Sequence, residues 1–511
     1  MSRTARRVLL TAVVAVVGAA VVVALVGGSG RERRKRSTRS TDARPSSVVT
    51  IDPGTEGTTI APGFLGLSIE YWAAEAYAGK NPAAINPVLT QLIRNLTPGQ
   101  TAVLRIGGVS TDQTWWPVAG VTRPPGVFYR LNERRLKVMR TLAVDTGAHL
   151  ILGVTFEADN QALAGAEARA MVAAIGRSRI DAFEIGNEPE LYGNPSFAWY
   201  TRDGHGVMGR PAGYDAPQFT NDFTTIAAGL PGLPLAGPAS GAADWLDDLG
   251  PFIAGNPLLR VVTVHRYPFE ACAGPPSSPS YPTVSRMLSP LGTTDQAGGL
   301  ASYVAVAHAH GLPLRIGEMN DVGCGNPPYV PNSFAEALWA IDALFAYAQV
   351  GVDGVNVHTW PGAVYNLFTF SETNTGWQGS VEPEYYGLLM FSQAAPAGSR
   401  LVKATSSNPA VRAWATRAAD GTIRITLIND DTASAQRVAV ELGGSNGAAT
   451  VERLLAPSAT ATAGVTLAGQ TFGETTNGQL AGPLVQTTVS PNGSSYPVSL
   501  PPASAALLAL R

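Results

Sequence analysis

Eight short apolar or β-branched runs, separated by longer segments of helical period, occupy the sequence between Leu65 and His358. Such runs are typical of buried parallel strands, and the segments between them are typical of helices that cross back over the sheet. Eight successive strand–helix units predict a (β/α)8 barrel, in which the carboxyl ends of the strands carry the chemistry. The predicted strands are Leu65–Glu70, Ala102–Gly107, His149–Thr155, Ile180–Gly186, Pro234–Pro238, Val261–His265, Leu314–Glu318 and Gly354–His358.

Amphipathic segments between these runs are long enough to form the covering helices, for example Ala83–Leu96, Leu131–Asp145, Leu163–Ile175 and Phe334–Ala348. From residue 396 onward the pattern changes to short strand-like runs between Gly, Asn and Ser turns, which indicates a β-sandwich. These runs are Val411–Trp414, Thr422–Ile428, Arg437–Leu442, Thr450–Leu455 and Gln486–Val489. We therefore predict an α/β protein, with a catalytic TIM barrel over 48–395 and a C-terminal β-sandwich over 396–511. Val48–Ile51 is also strand-like, so residues 48–60 are a candidate addition to the sandwich.

The formal net charge of −2 is an average over two unlike regions. Residues 1–44 hold ten basic and two acidic side chains, a local charge of +8, so the rest of the chain carries −10. Binding to nucleic acid requires many Lys and Arg side chains to neutralise phosphates. The acidic remainder offers no such stripe, and the sequence therefore predicts no nucleic-acid partner.

Val8–Gly28 contains no charged residue and is long enough to cross a bilayer core of about 30 Å. We interpret residues 1–30 as a signal sequence or a transmembrane anchor, and residues 31–47 as a basic linker rich in Ser, Thr and Pro. No clear cleavage site follows Ala24, which favours an uncleaved anchor over a cleaved signal. In either case we expect the protein to be exported, with an extracellular catalytic domain.

Carboxylates stand at the ends of the fourth and seventh predicted strands. Glu188 follows Asn187 after the fourth strand, and Glu318 ends the seventh. In an eight-stranded barrel these strands face each other across the mouth, and two facing carboxylates suit glycoside hydrolysis. Two carboxylates and water suffice for this reaction, so no cofactor and no metal are predicted.

The strand-end motifs resemble those of glycoside hydrolase family 79, the β-glucuronidase and heparanase family within the clan A retaining hydrolases. Asn-Glu-Pro after the fourth strand and Glu after the seventh match the clan. The resemblance covers nearly all of residues 48–511 and is carried further by the motifs at Phe64–Glu70, Leu104–Asp112, Thr263–Pro268 and Pro383–Leu388.

The resemblance implies Glu188 as general acid/base and Glu318 as nucleophile. It also implies that Tyr267 donates a hydrogen bond to the nucleophile and that Asn187 holds the sugar 2-hydroxyl. The other residues expected to bind substrate are His265, Arg105, which is either an electrostatic brace or a structural arginine, and Asp112 and Glu70, which are expected sugar-hydroxyl ligands. For Asp112, turn capping is the alternative.

The loop after the nucleophile departs from the family pattern. Family relatives bind the uronate carboxylate there through a tyrosine and glycine amides. Here Gly323 and Gly325 are present and are expected to supply such amide donors to the substrate, but no tyrosine stands at the expected place, and Tyr329 comes a few residues later.

Cys272 and Cys324, the two cysteines of the chain, fall in the loops after strands six and seven. An exported protein favours a disulfide between them, and two buried thiols are the alternative.

The sequence thus predicts a retaining, exo-acting β-glycoside hydrolase with a carbohydrate substrate, and a β-glucuronidase acting on small β-glucuronides or glycan side chains in particular. A β-glycosidase of other glycone specificity and a heparanase-like endo-acting hydrolase are alternatives, although the −10 charge disfavours a sulfated polymer. A surface-anchored carbohydrate-binding protein is the non-enzymatic alternative. Trp115, Trp116 and Trp360 are candidates for stacking on sugars, and core packing explains them equally well. The oligomeric state is left open.

Overall fold

A computed structural model describes residues 45–193, 199–443 and 447–510. The predicted signal or anchor at 1–30 and almost all of the linker at 31–47 lie outside these ranges. Within them, no helix is both long enough and apolar enough to span a bilayer.

Eight parallel strands close into a barrel. In chain order, the strands of the described residues are β1 (Ser47–Thr59), β2 (Leu65–Glu70), β3 (Val103–Gly107), β4 (Thr114–Trp115), β5 (Tyr129–Arg130), β6 (His149–Val154), β7 (Ile180–Ile185), β8 (Leu235–Ser240), β9 (Leu259–Arg266), β10 (Leu314–Met319), β11 (Gly354–Thr359), β12 (Phe368–Thr373), β13 (Gly376–Val381), β14 (Arg400–Ser406), β15 (Val411–Arg417), β16 (Ile423–Asn429), β17 (Gln436–Leu442), β18 (Ala449–Leu455), β19 (Thr466–Leu467), β20 (Thr487–Val489), β21 (Ser495–Leu500) and β22 (Ser504–Leu510). The barrel order is β2-β3-β6-β7-β8-β9-β10-β11, with β11 paired to β2. Each predicted run overlaps one of these strands, and the predicted fold class is confirmed.

Helices cover the barrel between its strands. They are α1 (Tyr71–Ala78), α2 (Pro87–Leu96), α3 (Ser110–Gln113), α4 (Glu133–Thr146), α5 (Gln161–Ile175), α6 (Ala216–Ala227), α7 (Ala243–Leu246), α8 (Leu249–Gly255), α9 (Val284–Met287), α10 (Thr294–Gly298), α11 (Ala301–Ala309), α12 (Phe334–Gln349) and α13 (Pro383–Ala394). The helix predicted from Ala83 begins only at Pro87, because the Asn86 side chain accepts the amides of Val88 and Leu89 and caps the helix there.

The C-terminal β-sandwich is built from a continuous ten-stranded sheet of order β19-β18-β22-β16-β15-β14-β1-β17-β21, with β20 beside β18. Strand β1 pairs antiparallel with β14 and parallel with β17, so the strand predicted at Val48–Ile51 lies in this sheet. Strands β14, β21 and β22 were not predicted, and β22 shows one reason. Its sequence, Ser504–Leu510, is almost entirely buried and therefore lacks the alternation that marks a half-exposed strand.

The sandwich packs firmly against the barrel helices. The Trp414 ring on β15 stacks on Phe345 of α12 at a centroid distance of 5.5 Å, and its indole N–H donates to Asp342 at 2.7 Å. Helix α12 is buried along nearly its whole length.

Candidate active site

Two carboxylates meet at the carboxyl end of the barrel. Glu188 lies just beyond β7, and Glu318 lies near the end of β10. A carboxylate oxygen of each and a ring nitrogen of His265 all lie within 4.8 Å of one another. Retaining glycosidases hold their two carboxyl groups about 5–5.5 Å apart, whereas inverting enzymes hold them about 6.5–9.5 Å apart. This close approach agrees with a retaining mechanism.

Glu318 is buried and hydrogen-bonded at both oxygens. The Tyr267 hydroxyl donates to Oε1 at 2.8 Å, and Arg105 donates to Oε2 at 2.6 Å. Burial by itself would raise the pKa of Glu318. The charges of His358, His265 and Arg105 outweigh burial and hold the pKa well below its usual range, and the Tyr267 hydrogen bond acts in the same direction. Glu318 is thus ionised, as a nucleophile must be.

Arg105, on β3, is fully buried and joins both halves of the site. Its guanidinium donates to Glu184 at 2.5 Å, Glu318 at 2.6 Å, Asn187 Oδ1 at 2.8 Å and Ser68 at 3.1 Å. Burial would lower the pKa of Arg105, but Glu184 and Glu318 raise it above its usual range. Because Asn187 Oδ1 accepts from Arg105, the Asn187 Nδ2 group is the one oriented to donate to a substrate.

Glu188 is the more accessible carboxylate, with 21% of its side chain exposed against 8% for Glu318. Its backbone has φ 51°, a left-handed conformation that costs energy for a residue other than glycine and is frequent at functional sites. The Glu188 amide donates to the Ala239 carbonyl at 3.0 Å and fixes this turn. Access for a leaving group and for water suits an acid/base.

His265 contacts the acid/base directly. Its Nδ1 lies 3.1 Å from Glu188 Oε1, at the end of β9. Burial would lower the pKa of His265, but the neighbouring Glu318 and Glu188 raise it above its usual value. His265 was predicted to bind substrate, and the structure places it against Glu188 instead, with Nε2 buried and unpartnered among the described residues.

Glu190, two residues after the acid/base, was not singled out from the sequence. Its Oε1 accepts the amides of Gly241 at 2.7 Å and Ala242 at 3.2 Å. Burial, together with the nearby Glu188 charge, raises the pKa of Glu190 to about 7. A second buried carboxyl group therefore lies beside the acid/base.

Asp112 is buried and hydrogen-bonded within the protein. Its Oδ1 accepts the amides of Phe156 and Glu157 at 2.7 and 2.8 Å, and its Oδ2 accepts the Tyr192 hydroxyl at 2.6 Å. Tyr192 in turn accepts the Asn187 amide at 2.8 Å. These contacts use both carboxylate oxygens within the protein, where Asp112 positions the turn that carries Asn187, as in the turn-capping alternative.

Glu70 is also committed to protein contacts at one oxygen. Its Oε2 accepts the amide of Ser110 at 2.9 Å and the Ser110 hydroxyl, while Oε1 lies 3.6 Å from His358 Nε2. Gly108 has φ 84°, and a Cβ there would lie 2.4 Å from Glu70 Oε1. The glycine is required for this close approach, and only Oε1 is left for a sugar hydroxyl.

The loops after β9 and β10 are joined by a disulfide between Cys272 and Cys324. The Gly323 amide donates to the Phe269 carbonyl at 2.8 Å, so this amide is not free to bind a substrate carboxylate as predicted. Gly325 packs against Ala271, and a Cβ there would lie 2.7 Å from the Ala271 Cβ. Tyr329 is 78% exposed and lies on the surface of the loop.

His358, Ser68 and Tyr365 belong to the site but were not predicted. His358 Nδ1 lies 2.9 Å from the Ser68 hydroxyl and 3.7 Å from Glu318 Oε2. The Tyr365 ring lies 5.8 Å from that of Tyr267 and 6.1 Å from that of His358. Ser68 and His358 stand in predicted strands near their carboxyl ends, and that position was the available signal.

Glu188, His265 and Glu318 are also close enough to offer three ligand atoms to a metal ion. The Arg105 guanidinium lies against Glu318, and the repulsion between this fixed positive charge and a cation opposes metal binding at these ligands. The donor set thus fits acid–base and nucleophilic chemistry better than it fits a metal centre.

Behind the nucleophile strand lies a buried acidic cluster of Asp321, Glu336 and Glu384. All three are fully buried, and among the described residues none forms an ion pair. Asn320 connects the cluster to the site, since its Nδ2 donates to the His358 carbonyl and to Glu384 at 3.0 and 3.1 Å. Burial raises the pKa of Asp321 to about 7. Burial and the neighbouring carboxyl groups also raise the pKa of Glu336 and of Glu384.

We expect this cluster to make the free energy of unfolding decrease from pH 5 to pH 8. A carboxyl group with a raised pKa in the folded state contributes its stability below its unfolded value of about 4 and loses it as pH rises through the folded value. Glu336→Gln should reduce the slope by up to about 1.4 kcal/mol per pH unit, the equivalent of one proton. Chemical unfolding at each pH measures the free energy of unfolding, and hence its slope against pH. Glu133→Gln, on an exposed helix surface, is the control and should leave the slope unchanged. Equal slopes in all three proteins would contradict the expectation.

Residues 413–507 match the glycosyl hydrolase family 79 C-terminal beta domain. Among curated proteins, no sequence match reaches significance. Similar solved structures include a 4-O-α-L-rhamnosyl-β-D-glucuronidase from Fusarium oxysporum 12S, with 19% identity, 90% of this chain and 100% of that chain covered, and a TM-score of 0.71. A GH51 arabinofuranosidase from Xanthomonas axonopodis pv. citri has 16% identity, with 92% of this chain and 100% of that chain covered and a TM-score of 0.65. CelM2, a bifunctional glucanase-xylanase from a metagenome library, has 16% identity, with 91% of this chain and 99% of that chain covered and a TM-score of 0.56. At these identities the structural likeness establishes the fold.

The barrel, the carboxylate pair and the C-terminal domain together define a glycoside hydrolase. The match at residues 413–507 agrees with the strand-end motifs of the barrel, and the resemblance to glycoside hydrolase family 79 is confirmed.

Proposed function

We propose that this protein is a retaining, exo-acting β-glycoside hydrolase whose substrates are β-glucuronides. The main support for this proposal is the short separation of the Glu188 and Glu318 carboxylates. The ionised state of Glu318 and the accessibility of Glu188 support the assignment of nucleophile and acid/base in that order.

In the first step, a carboxylate oxygen of Glu318 bonds to the anomeric carbon as the bond from that carbon to the leaving oxygen breaks. Glu188 gives its proton to the leaving oxygen, so the aglycone departs as an alcohol. Asn187 Nδ2 is oriented to donate to the sugar 2-hydroxyl, a contact that strengthens as positive charge develops on the ring. Arg105 donates hydrogen bonds to both Asn187 and Glu318 and fixes their positions for this step.

In the second step, the Glu188 carboxylate takes a proton from a water molecule whose oxygen attacks the anomeric carbon. The ester bond to Glu318 breaks, and the sugar leaves with its original anomeric configuration. His265 Nδ1, 3.1 Å from Glu188 Oε1, holds this carboxyl group in position. Tyr267 and Arg105 donate hydrogen bonds to the Glu318 carboxylate as it is released.

The glycone assignment is supported by the family 79 domain and by the fold shared with a rhamnosyl-glucuronidase. One observation favours a neutral glycone as the second candidate. The predicted carboxylate clamp is incomplete, because the Gly323 amide is bonded to Phe269 and Tyr329 is exposed. A uronate would have to be bound by other donors.

A panel of aryl β-glycosides tests the proposal. We expect kcat/KM for the aryl β-glucuronide to exceed that for the β-glucoside, β-galactoside and arabinoside by about 100-fold, because a neutral glycone leaves the donors for the uronate carboxylate unpaired. Proton NMR of the first sugar released should show the β-anomer. A preference for a neutral glycoside would contradict the glucuronide assignment, and release of the α-anomer would contradict retention.

Export and membrane anchoring through residues 8–28 are part of the proposal. They are supported by the uncharged run and its flanking basic residues. Recovery of activity in the membrane fraction supports an anchor, and recovery of a shortened chain in the medium supports a cleaved signal.

A further inference from the structure

Glu190 joins the loop that carries the acid/base to the loop that follows the next strand of the barrel, and the proposed mechanism does not use it. It lies in the short turn after β7, two residues beyond Glu188. Its Oε1 accepts the amides of Gly241 and Ala242, which directly follow β8, at 2.7 and 3.2 Å. The Glu190 side chain therefore ties the ends of two neighbouring strands together.

The peptide group between Gly241 and Ala242 is held from both sides. Its N–H, that of Ala242, donates to Glu190, and its carbonyl, that of Gly241, accepts a hydrogen bond from the Arg266 guanidinium at 3.0 Å. Arg266 is the last residue of β9. The loop after β8 is thus fixed between a carboxyl group on one side and a guanidinium on the other.

These contacts form a closed chain around the acid/base. Arg266 directly follows His265, and His265 Nδ1 lies 3.1 Å from Glu188 Oε1. A Cβ on Gly241 would lie 3.6 Å from Glu190 Oε1 and 3.8 Å from the His265 Cβ, so this glycine lies between the two side chains. The members of the closed chain are, in order, Glu188, Glu190, Gly241, Arg266 and His265. Loss of the Glu190 contact would free both the turn that carries Glu188 and the backbone beside His265.

The backbone that carries the acid/base requires such support. Glu188 has φ 51°, and Ala239, whose carbonyl accepts the Glu188 amide at 3.0 Å, has φ 58°. Both are left-handed conformations, which are unfavourable for residues other than glycine and persist only where surrounding contacts hold them. The Glu190 side chain supplies contacts of this kind between the same two strand ends.

We infer that Glu190 is a positioning residue that, with Arg266 and through the Gly241 backbone, holds the acid/base Glu188 against His265. The inference rests on the proposed function and deepens it, because it assigns the placement of the proton-transfer group to a residue that acts through Glu188. A general acid has to lie within hydrogen-bond reach of the leaving oxygen, and a displacement of about 1 Å can cost about 100-fold in rate. This role needs an acceptor oxygen at Glu190 and does not need its charge.

The test compares two variants of Glu190 on two leaving groups. Glu190→Ala removes the acceptor and is expected to lower kcat/KM by about 10–100-fold for an alkyl β-glucuronide, whose leaving oxygen needs a proton. For a dinitrophenyl β-glucuronide, whose leaving group departs without a proton, we expect a loss of less than about threefold. Glu190→Gln keeps an oxygen that accepts the Gly241 amide, so both activities should stay within about threefold of those of the unmodified protein.

Asp431→Ala is the matched control. Asp431 Oδ1 also accepts two backbone amides, those of Ala433 and Ser434, both at 2.9 Å, in the loop after β16 of the sandwich. This variant should leave both activities unchanged and so excludes a general effect of losing an amide acceptor. Arg266→Gln, which removes the donor to the Gly241 carbonyl, should reproduce the selective loss and serves as the test if Glu190→Ala does not fold.

A crystal structure of Glu190→Ala gives a readout that does not depend on turnover, because the contact between His265 Nδ1 and Glu188 Oε1 should be lost. Equal losses on both leaving groups, or a Glu190→Gln variant as impaired as Glu190→Ala, would overturn the inference. If the contact is lost but the unmodified protein hydrolyses no glucuronide, the positioning role stands and the proposed function fails. If glucuronides are hydrolysed and Glu190→Ala keeps both the contact and the activity, the function stands and the positioning role fails.

Discussion

Replacing Glu318 with Gln is expected to lower kcat by on the order of 10⁴-fold or more for every substrate that the protein accepts. The amide cannot form the glycosyl ester, yet it keeps the shape of the carboxylate and an oxygen for Tyr267 or Arg105 to bond. Steady-state kinetics on an aryl glycoside measure the loss. A 2-deoxy-2-fluoro glycoside should add the mass of one glycosyl group to the unmodified protein and none to the variant.

The Glu318→Gln loss must be separated from a loss of folding. Circular dichroism and the thermal midpoint should remain near those of the unmodified protein, because Arg105 keeps Glu184 as a counter-ion. Glu372→Gln, an exposed position on β12, is the matched control and should retain full turnover. Turnover within tenfold of the unmodified protein would remove Glu318 as nucleophile.

Replacing Glu188 with Ala is expected to lower kcat/KM by about 10²–10⁴-fold for a substrate with a poor leaving group such as an alkoxide. For a dinitrophenyl glycoside the loss in kcat/KM should be far smaller, because this leaving group departs without a proton. The difference between the two substrates is the measurement, since a merely misfolded protein would lose activity on both alike.

Azide gives a second readout for Glu188→Ala. The truncated side chain leaves room near the anomeric carbon, and azide needs no base to attack the glycosyl ester at Glu318. Addition of azide should therefore restore turnover of the dinitrophenyl substrate and yield a glycosyl azide of retained configuration. The unmodified protein, tested in the same buffer, should show no acceleration. Failure of rescue together with equal loss on both substrates would contradict the acid/base assignment.

Much of the barrel and the placement of the carboxylates could be predicted from the chain alone. Parallel strands are buried on both faces, so each has an apolar sequence. The polar residues Asn187, Glu188 and Glu318 are therefore recognisable where those apolar runs end. Strand β22 shows the limit of this reasoning, because a buried strand of Ala and Leu carries neither alternation nor β-branched residues.

The roles of individual polar residues depended on contacts between distant segments. Asp112 was expected to bind sugar, but its oxygens are taken by Phe156, Glu157 and Tyr192, which lie far along the chain. The Gly323 amide was expected to be free, but the neighbouring loop accepts it. Each donor or acceptor can form only a limited number of hydrogen bonds, and only the three-dimensional arrangement shows which partners those bonds join.

By itself, the sequence determined the class of fold, the order of the chemistry-bearing strand ends and the identity of the two carboxylates, because hydrophobic period and strand-end polarity are local properties of the chain. The tertiary structure decided the close approach of the two carboxylates, which have an oxygen each within 4.8 Å of the other, and the lowered pKa of Glu318. These properties depend on distances between residues far apart in sequence, and closing the barrel is what fixes those distances.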